Sequence, residues 1–288
     1  MIIHVVCVND PSHVLGRMAG ALQRINGWTA GKTPDRRAYN LYLPYLNWKR
    51  SDRLPAAAYF THLEVNDRYK AATWATVDRA VGMRIVTARR YVDHLRRPVQ
   101  VVRPAVDREH FTPLLSTVDS RPKPRVGLSG MTYPTGRKGD DLVKRLTQNH
   151  FAETVEMVAS GRGWPGVPTR MYTWAEMPDF YRSLDVLLCA STVEGVPMPP
   201  LEAMSCGVPV VIPRGVGLLD DIPNAPGIYR YEAGDFNGMM AALRAALYDR
   251  QWFWQRRENG ELLRSLTEPY TAENWAADVR AAMEAMTG

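Results

Sequence analysis

The chain has 288 residues, enough to bury one large or two ordinary α/β cores. With 45% hydrophobic and 23% charged residues it has the composition of an ordinary globular protein, which excludes a fibre or a disordered chain. Residues 1–107 hold 17 Lys and Arg against 8 Asp and Glu, net +9, whereas 108–288 hold 19 against 22, net −3, so the basic half is expected either to meet something anionic or to be a solvated basic surface that keeps the protein in solution.

The first strand-like run is "IIHVVCV". Behind it Val14, Met18, Ala21, Leu22 and Ile25 recur at helical spacing, with Ser12 placed to cap the helix. The start "MIIHVVCVNDPS" has neither the basic opening nor the small-residue cleavage site of a signal peptide, and no apolar run reaches membrane-spanning length. The expected location is the cytoplasm, with contact to a membrane surface or DNA open to the basic half. Further strand-like runs follow at "AAAYFT", "MRIVTA" and "VQVVRP", separated by the helical stretches "YKAATWATVDRAV" and "RRYVDHLRR". Tyr39, Tyr42, Tyr45 and Trp48 between them read as packed core rather than as the lining of an acceptor site.

Residues 103–125, "RPAVDREHFTPLLSTVDSRPKPR", have four prolines and no sustained apolar period, which marks a connector with a domain boundary near Asp107. Alternation then restarts with "RVGLSG", a helix from Asp140, "TVEMVAS", "TRMYT", a helix near "EMPDFYRSL", "DVLLCAS", a helix at "LEAMSC" and "VPVVI". This order predicts an α/β fold of two parallel-sheet domains, 1–107 and 108–268, with a cleft between them and a tail at 269–288.

Several patterns lead nowhere. "GRGWPG" at 161–166 spells a dinucleotide fingerprint, but Pro165 and Pro168 oppose the helix it needs, so it reads as a glycine-rich turn. The chain contains no D-x-D, H-x-H or H-E-x-x-H spacing, so no metal is expected. Cys7, Cys189 and Cys206 each lie among apolar residues and read as reduced core thiols. His4, His13, His94, His110 and His150 carry no pattern, and the aromatics of "QWFWQRR" at 251–257 read as helix packing rather than base stacking.

Residues 185–212 are the informative stretch, a strand, loop, helix, strand unit. Pro199 and Pro200 open its helix, expected to carry Glu202 in the first turn, and Gly207 can end it. An acidic residue in a first turn complements the helix dipole, which is reason enough for Glu202. That reason does not reach Glu194, on a loop stiffened by Pro197, Pro199 and Pro200. Ligands of open parallel sheets sit beyond the carboxyl ends of the strands, so this loop is expected at the binding edge.

On these residues the chain resembles the retaining, nucleotide-sugar-dependent glycosyltransferases of the GT-B fold, the group numbered family four, whose E-x7-E motif Glu194 and Glu202 match. "VQVVRPAVDREHFTP" is similar to that family's interdomain stretch, "VGLSGMTYPTGRKGDDLV" to its first C-domain strand and lysine-glycine loop, and "EPYTAENWAADVRAAM" to its returning C-terminal helix. The resemblance spans most of residues 80–288.

The resemblance implies that Glu202 holds the donor's ribose hydroxyls, while Glu194 and the backbone about Gly195, Val196, Pro197, Met198 and Leu201 meet sugar and diphosphate. Lys138, with Arg137 beside it and Gly130 at the end of the strand, would face the departing diphosphate, so no cofactor beyond the nucleotide-sugar donor is implied. His62, in "AYFTHLE", resembles the family's cleft histidine. Two features depart from the family: Met131 stands where an arginine is usual, and "NDPSHVLG" offers only Gly16 toward its N-terminal glycine-rich loop. The expected chemistry is retaining transfer from the front face, with the diphosphate taking the acceptor's proton, onto an anionic lipid headgroup, phosphorylated polymer or DNA. A GT-B protein that binds nucleotide sugar or nucleic acid without transfer is the other class in view.

Overall fold

The computed structural model describes residues 1–7, 14–50, 53–113, 121–250, 253 and 257–288. Ser12, His13, the middle of the proline-rich connector at 114–120, and most of the aromatic stretch at 251–256 lie outside the described residues. The chain divides into a first unit, Met1–Ala105 with Pro269–Gly288, and a second unit, Val106–Glu268.

The first unit holds β1 (Ile3–Val6), helix α1 (Val14–Asn26), β2 (Thr29–Gly31), β3 (Tyr39–Tyr42), β4 (Ala57–Phe60), α2 (Arg68–Ala80), β5 (Met83–Val86) and β6 (Val99–Val101). Every strand pair is parallel, in the order β2-β1-β3-β4-β5-β6. Met18, Ala19, Ala21 and Leu22 form the buried stripe of α1. The same core takes Trp275, Ala276, Val279, Ala282 and Met283 from the chain's last helix, Ala272–Thr287, whose apolar residues recur at helical spacing. Tyr42 and Tyr45 are fully buried, with Tyr45 stacked on Phe60 at 5.2 Å between ring centres. "RRYVDHLRR" is a 3-10 helix over Arg89–His94 instead of an α-helix, with only Tyr91 buried, so no apolar face holds a longer helix down.

The second unit continues with β7 (Arg125–Met131), α3 (Asp140–Thr147), β8 (Glu156–Arg162), β9 (Thr169–Arg170), α4 (Met177–Arg182), β10 (Val186–Leu188), α5 (Met198–Ser205), β11 (Val210–Arg214), β12 (Ile228–Glu232), α6 (Phe236–Tyr248) and α7 (Arg257–Ser265), after which Ala272–Thr287 is α8. Its sheet is also wholly parallel, β12-β11-β10-β7-β8-β9. Asp185 anchors the entry to β10 by accepting from Arg125 N at 2.7 Å and Arg250 Nε at 2.5 Å.

The strand order in the second unit is that of a doubly wound sheet, with its reversal between β7 and β10. In the first unit the reversal lies between β1 and β3, and the loop after β1 falls outside the described residues. "TRMYT" is a strand over Thr169 and Arg170 alone, at the sheet's edge. Strands β2, β3 and β12 and helix α6 were not among the predicted elements: β2 and β12 are short edge strands, the interior β3 is only four residues long, and α6 is alanine-rich, so each carries weak periodicity. "GRGWPG" begins inside β8 and ends in the turn before β9, with no helix on Gly166.

Candidate functional site

The two loops that leave the sheet at the β7/β10 reversal meet on one carboxylate. Glu194, 6% exposed, follows β10, while Arg137 and Lys138 follow β7. Arg137 Nη1 donates to Glu194 Oε2 at 3.0 Å, Lys138 Nζ pairs with Oε1, and Ser191 Oγ donates to Oε1 at 3.2 Å. Arg137 also donates to the Val193 carbonyl at 3.3 Å and lies over the Tyr133 ring at 4.3 Å. A buried carboxylate needs such partners, because its desolvation is otherwise uncompensated.

The backbone is shaped for this meeting. Gly139 begins α3 in the left-handed region, φ 78°, and a β-carbon there would lie 2.0 Å from the Ala190 carbonyl oxygen. Only glycine lets the two loops approach so closely. Thr192 N–H donates to the Arg137 carbonyl at 2.8 Å, which fixes the contact from the other side. Gly217 supports the loop from the third strand end: a β-carbon on it would stand 2.6 Å from the Glu194 carbonyl oxygen.

Helix α5 starts at Met198, with Pro197 as its N-cap and Pro199 and Pro200 in its first turn. The prolines fix φ and remove three N–H donors, leaving the amides of Gly195, Val196 and Met198 at the positive end of the helix. Its other end is a Schellman closure: Gly207 N–H donates to Met204 O and Val208 N–H to Ala203 O, both at 2.9 Å, with Gly207 at φ 75°.

Glu202 is in the second turn of α5, a correction to the expected first turn that follows from the helix beginning at Met198; the first turn has no acidic residue. The dipole explanation for this glutamate therefore fails. Instead Glu202, 6% exposed, accepts from Tyr181 Oη at 2.6 Å, and that hydroxyl also lies 3.2 Å from Ser129 Oγ. Burial, with Glu202 beside it, pushes the Tyr181 phenol well above its ordinary range, so it stays a neutral donor. The chain Glu202–Tyr181–Ser129 ends one residue from Gly130, where Lys138 Nζ lies 3.5 Å from where a β-carbon would be.

The structure thus brings together Gly130, Arg137, Lys138, Glu194 and, through Tyr181, Glu202. Leu201 is fully buried in the core, so the structure does not bring this expected donor-binding residue to the surface of the site. Ser129, Tyr181 and Ser191 were missed by sequence reasoning, because their part depends on pairing across the sheet. A small hollow beside the cluster is lined by Ser129, Lys138, Ala190, Ser191, Pro197 and Pro200.

His62 stands in the first unit, after β4, with Nε2 2.6 Å from Glu64 Oε1. Lys70 Nζ donates to the same oxygen at 2.7 Å. Burial pushes the Glu64 carboxyl up, but the hydrogen bonds from Lys70 and His62 outweigh it and hold the group below the usual carboxylate range. Glu64 and Lys70 were not singled out in the sequence; the signal was there in a carboxylate two residues from the histidine.

Among the described residues no group of three His, Cys, Asp or Glu side chains is placed to hold a metal ion, and no helix is long and apolar enough to cross a membrane. Cys7, Cys189 and Cys206 are buried free thiols, and burial pushes Cys189 up to about 11 and Cys206 to about 12.

Residues 148–249 match the family model of glycosyl transferases group 1, which takes in β8 to α6 and therefore the Glu194 loop. Over 167 residues the chain is 30% identical to the sulfoquinovosyl transferase SQD2 of Arabidopsis thaliana, a match covering 57% of this chain and 28% of that protein. The chain thus spans less than a third of that relative's length.

Solved structures align along nearly the whole chain. The sucrose-phosphate synthase of Thermosynechococcus elongatus has a TM-score of 0.77 at 14% identity, covering 99% of this chain and 98% of that one. HepE of Anabaena, solved with UDP and glucose, gives 0.72 at 10% identity over 98% and 99%. The TarM protein of S. aureus gives 0.65 at 14%, over 92% of this chain and 58% of its own. The fold is GT-B, each unit being one of its Rossmann-like domains.

Proposed function

We propose that the chain is a glycosyltransferase that takes a sugar from a nucleotide-sugar donor, and that the cluster on Glu194 is where the donor's diphosphate and sugar bind. The observation that carries this reading is the meeting of Arg137 and Lys138 with Glu194 at the reversal point of the second sheet, within the segment that matches glycosyl transferases group 1. HepE, of the same fold, was solved with UDP and glucose, which supports a nucleotide donor here.

In this reading each group has a task. Glu202, oriented by Tyr181, accepts from the ribose hydroxyls. Glu194 accepts from sugar hydroxyls while Arg137 and Lys138 hold its carboxylate in place. When the glycosidic bond breaks, charge grows on the leaving diphosphate; Lys138 and the amides at the start of α5 stabilise it in place and need no metal. Glu194 and Glu202 sit on one loop-helix segment rather than across a scissile bond, so the two-carboxylate double displacement of glycosidases has no counterpart here. Transfer proceeds on the front face with retention, the diphosphate taking the acceptor's proton. His62 contributes at the sugar, and the acceptor is anionic, drawn by exposed arginines such as Arg36, Arg37, Arg89, Arg90, Arg96 and Arg97.

A panel of nucleotide sugars read by thermal shift tests the reading, since a ligand at 100 times its dissociation constant adds about 2.7 kcal/mol of stability. A cognate donor that is also hydrolysed slowly, releasing the sugar as the same anomer, is the expected result. No shift with any donor contradicts it, and a shift without turnover makes the chain a nucleotide-sugar binding protein.

A further inference from the structure

Where β7 and β8 end, Gly130, Gly161 and Gly163 form a bare ledge, all three with positive φ, 112°, 114° and 86°. A β-carbon on Gly161 would stand 2.0 Å from the Gly130 carbonyl oxygen, and one on Gly163 2.1 Å from Thr132 Oγ1. Neither position tolerates a side chain. Trp164 Nε1 donates to the Gly130 carbonyl at 2.8 Å and Thr132 N–H to the Arg162 carbonyl at 3.1 Å, so the ledge is fixed from both strands. The glycines of "GRGWPG" thus serve a close approach of two strand ends, at the edge of the sheet where ligands bind.

Arg162 is the one long side chain between Gly161 and Gly163, and it is exposed. It pairs in register with Met131, so the two side chains leave neighbouring strands on the same side, roughly 4.8 Å apart. Among the described residues no carboxylate pairs with Arg162. Arg137, by contrast, is committed to Glu194, the Val193 carbonyl and the Tyr133 ring, and Lys138 shares Glu194 with it. Two cations on one carboxylate leave a single net positive charge in that loop. A nucleotide-sugar diphosphate carries a negative charge on each phosphorus and gains more as it departs, so the loop alone under-neutralises it.

We propose that Arg162 binds the donor's diphosphate, supplying from β8 the second cation that β7 lacks at Met131. This rests on the nucleotide-sugar reading of the site. The rigid ledge holds the arginine's base in place, and the planar guanidinium at its tip can take two phosphate oxygens at once.

The test is calorimetric binding to the full chain, wild type, Arg162→Gln and Arg162→Lys, with UDP, GDP, ADP and TDP and the matching nucleosides at millimolar concentration. Arg170→Gln, an exposed arginine on the next strand paired with Glu176, is the control. For the diphosphate that binds wild type, Arg162→Gln is expected to weaken binding tenfold or more, leave the nucleoside unchanged and match wild type in melting temperature. Arg162→Lys regains part of the loss, and Arg170→Gln changes nothing. Wild-type affinity in Arg162→Gln overturns the proposal and leaves the nucleotide-sugar reading standing. Equal weakening of nucleoside and diphosphate also overturns it, giving Arg162 a role at the base or in the fold. Wild-type protein that binds none of the four diphosphates overturns the reading and the proposal together.

Discussion

Each unit has a carboxylate, 6% exposed, just beyond the carboxyl end of an interior strand, held by two basic side chains, and the two differ in how far along the chain the partners lie. Glu64 takes His62 and Lys70, two and six residues away. Glu194 takes Arg137 and Lys138, the former 57 residues away, from the loop of the neighbouring strand. The Glu64 cluster can form as soon as the start of α2 does, and it braces that turn. The Glu194 cluster exists only when β7 and β10 are paired, so it reports the assembled sheet and sits where a doubly wound sheet takes its ligand.

If Glu194 serves the donor and Glu64 serves local support, mutations should separate the two carboxylates. Lys138→Ala is expected to have the largest effect, lowering turnover about a hundredfold or more with a smaller loss of donor affinity, because its charge counts most as the leaving group ionises. Steady-state kinetics beside donor binding checks this, and wild-type turnover would pass the role to Arg162 or the α5 terminus. Next comes Glu202→Ala, expected to weaken donor binding by roughly 1.5 to 3 kcal/mol through loss of a charged acceptor. Unchanged affinity in the folded variant removes Glu202 from the site.

The Glu64 cluster should answer to acid and stability instead. Because its carboxyl is held below the usual range when folded, its contribution is present above the unfolded value and is lost as pH falls through the folded one. Denaturation of wild type and Glu64→Gln from pH 7 down to 3 should show the variant less stable at neutrality by about 1 to 3 kcal/mol and the gap closing in acid. A gap independent of pH would show that packing, and not the charge, is what Glu64 contributes. Smaller again is the salt effect: neutralising Arg36/Arg37, Arg89/Arg90 or Arg96/Arg97 should reduce the steepness with which acceptor affinity falls as salt rises, while donor affinity changes little. An acceptor indifferent to salt is a neutral one. Least of all, alkylation at pH 8 should leave Cys189 and Cys206 unmodified in the folded protein, since their thiols are pushed up to about 11 and 12.

The two clusters also show what a sequence discloses. The segment 185–212 was legible as strand, loop, proline-led helix and strand because each piece carries a local signature, and its structure follows that order. The pairing of Arg137 and Lys138 with Glu194 was not, since it is made by two loops brought together by strand order, which no local pattern encodes. Glu202 falls in the second turn and not the first because the helix, read as opening at Pro199 and Pro200, begins before them at Met198. "GRGWPG" carries no helix on its last glycine, and its glycines serve the approach of β8 to β7, visible only from the pairing of Gly161 with Gly130. Edge elements such as β2 and β12 escaped because few residues of a short strand reach the core.

The central claim is that the β7/β10 reversal in the second unit holds a donor's diphosphate. A crystal structure of the chain with its cognate nucleoside diphosphate tests it most directly. The account predicts diphosphate oxygens within hydrogen-bond distance of Lys138 and of the amides at the start of α5, with the ribose hydroxyls on Glu202. A nucleotide bound elsewhere, with Lys138 and Arg137 still closed on Glu194 and no phosphate beside them, would contradict it.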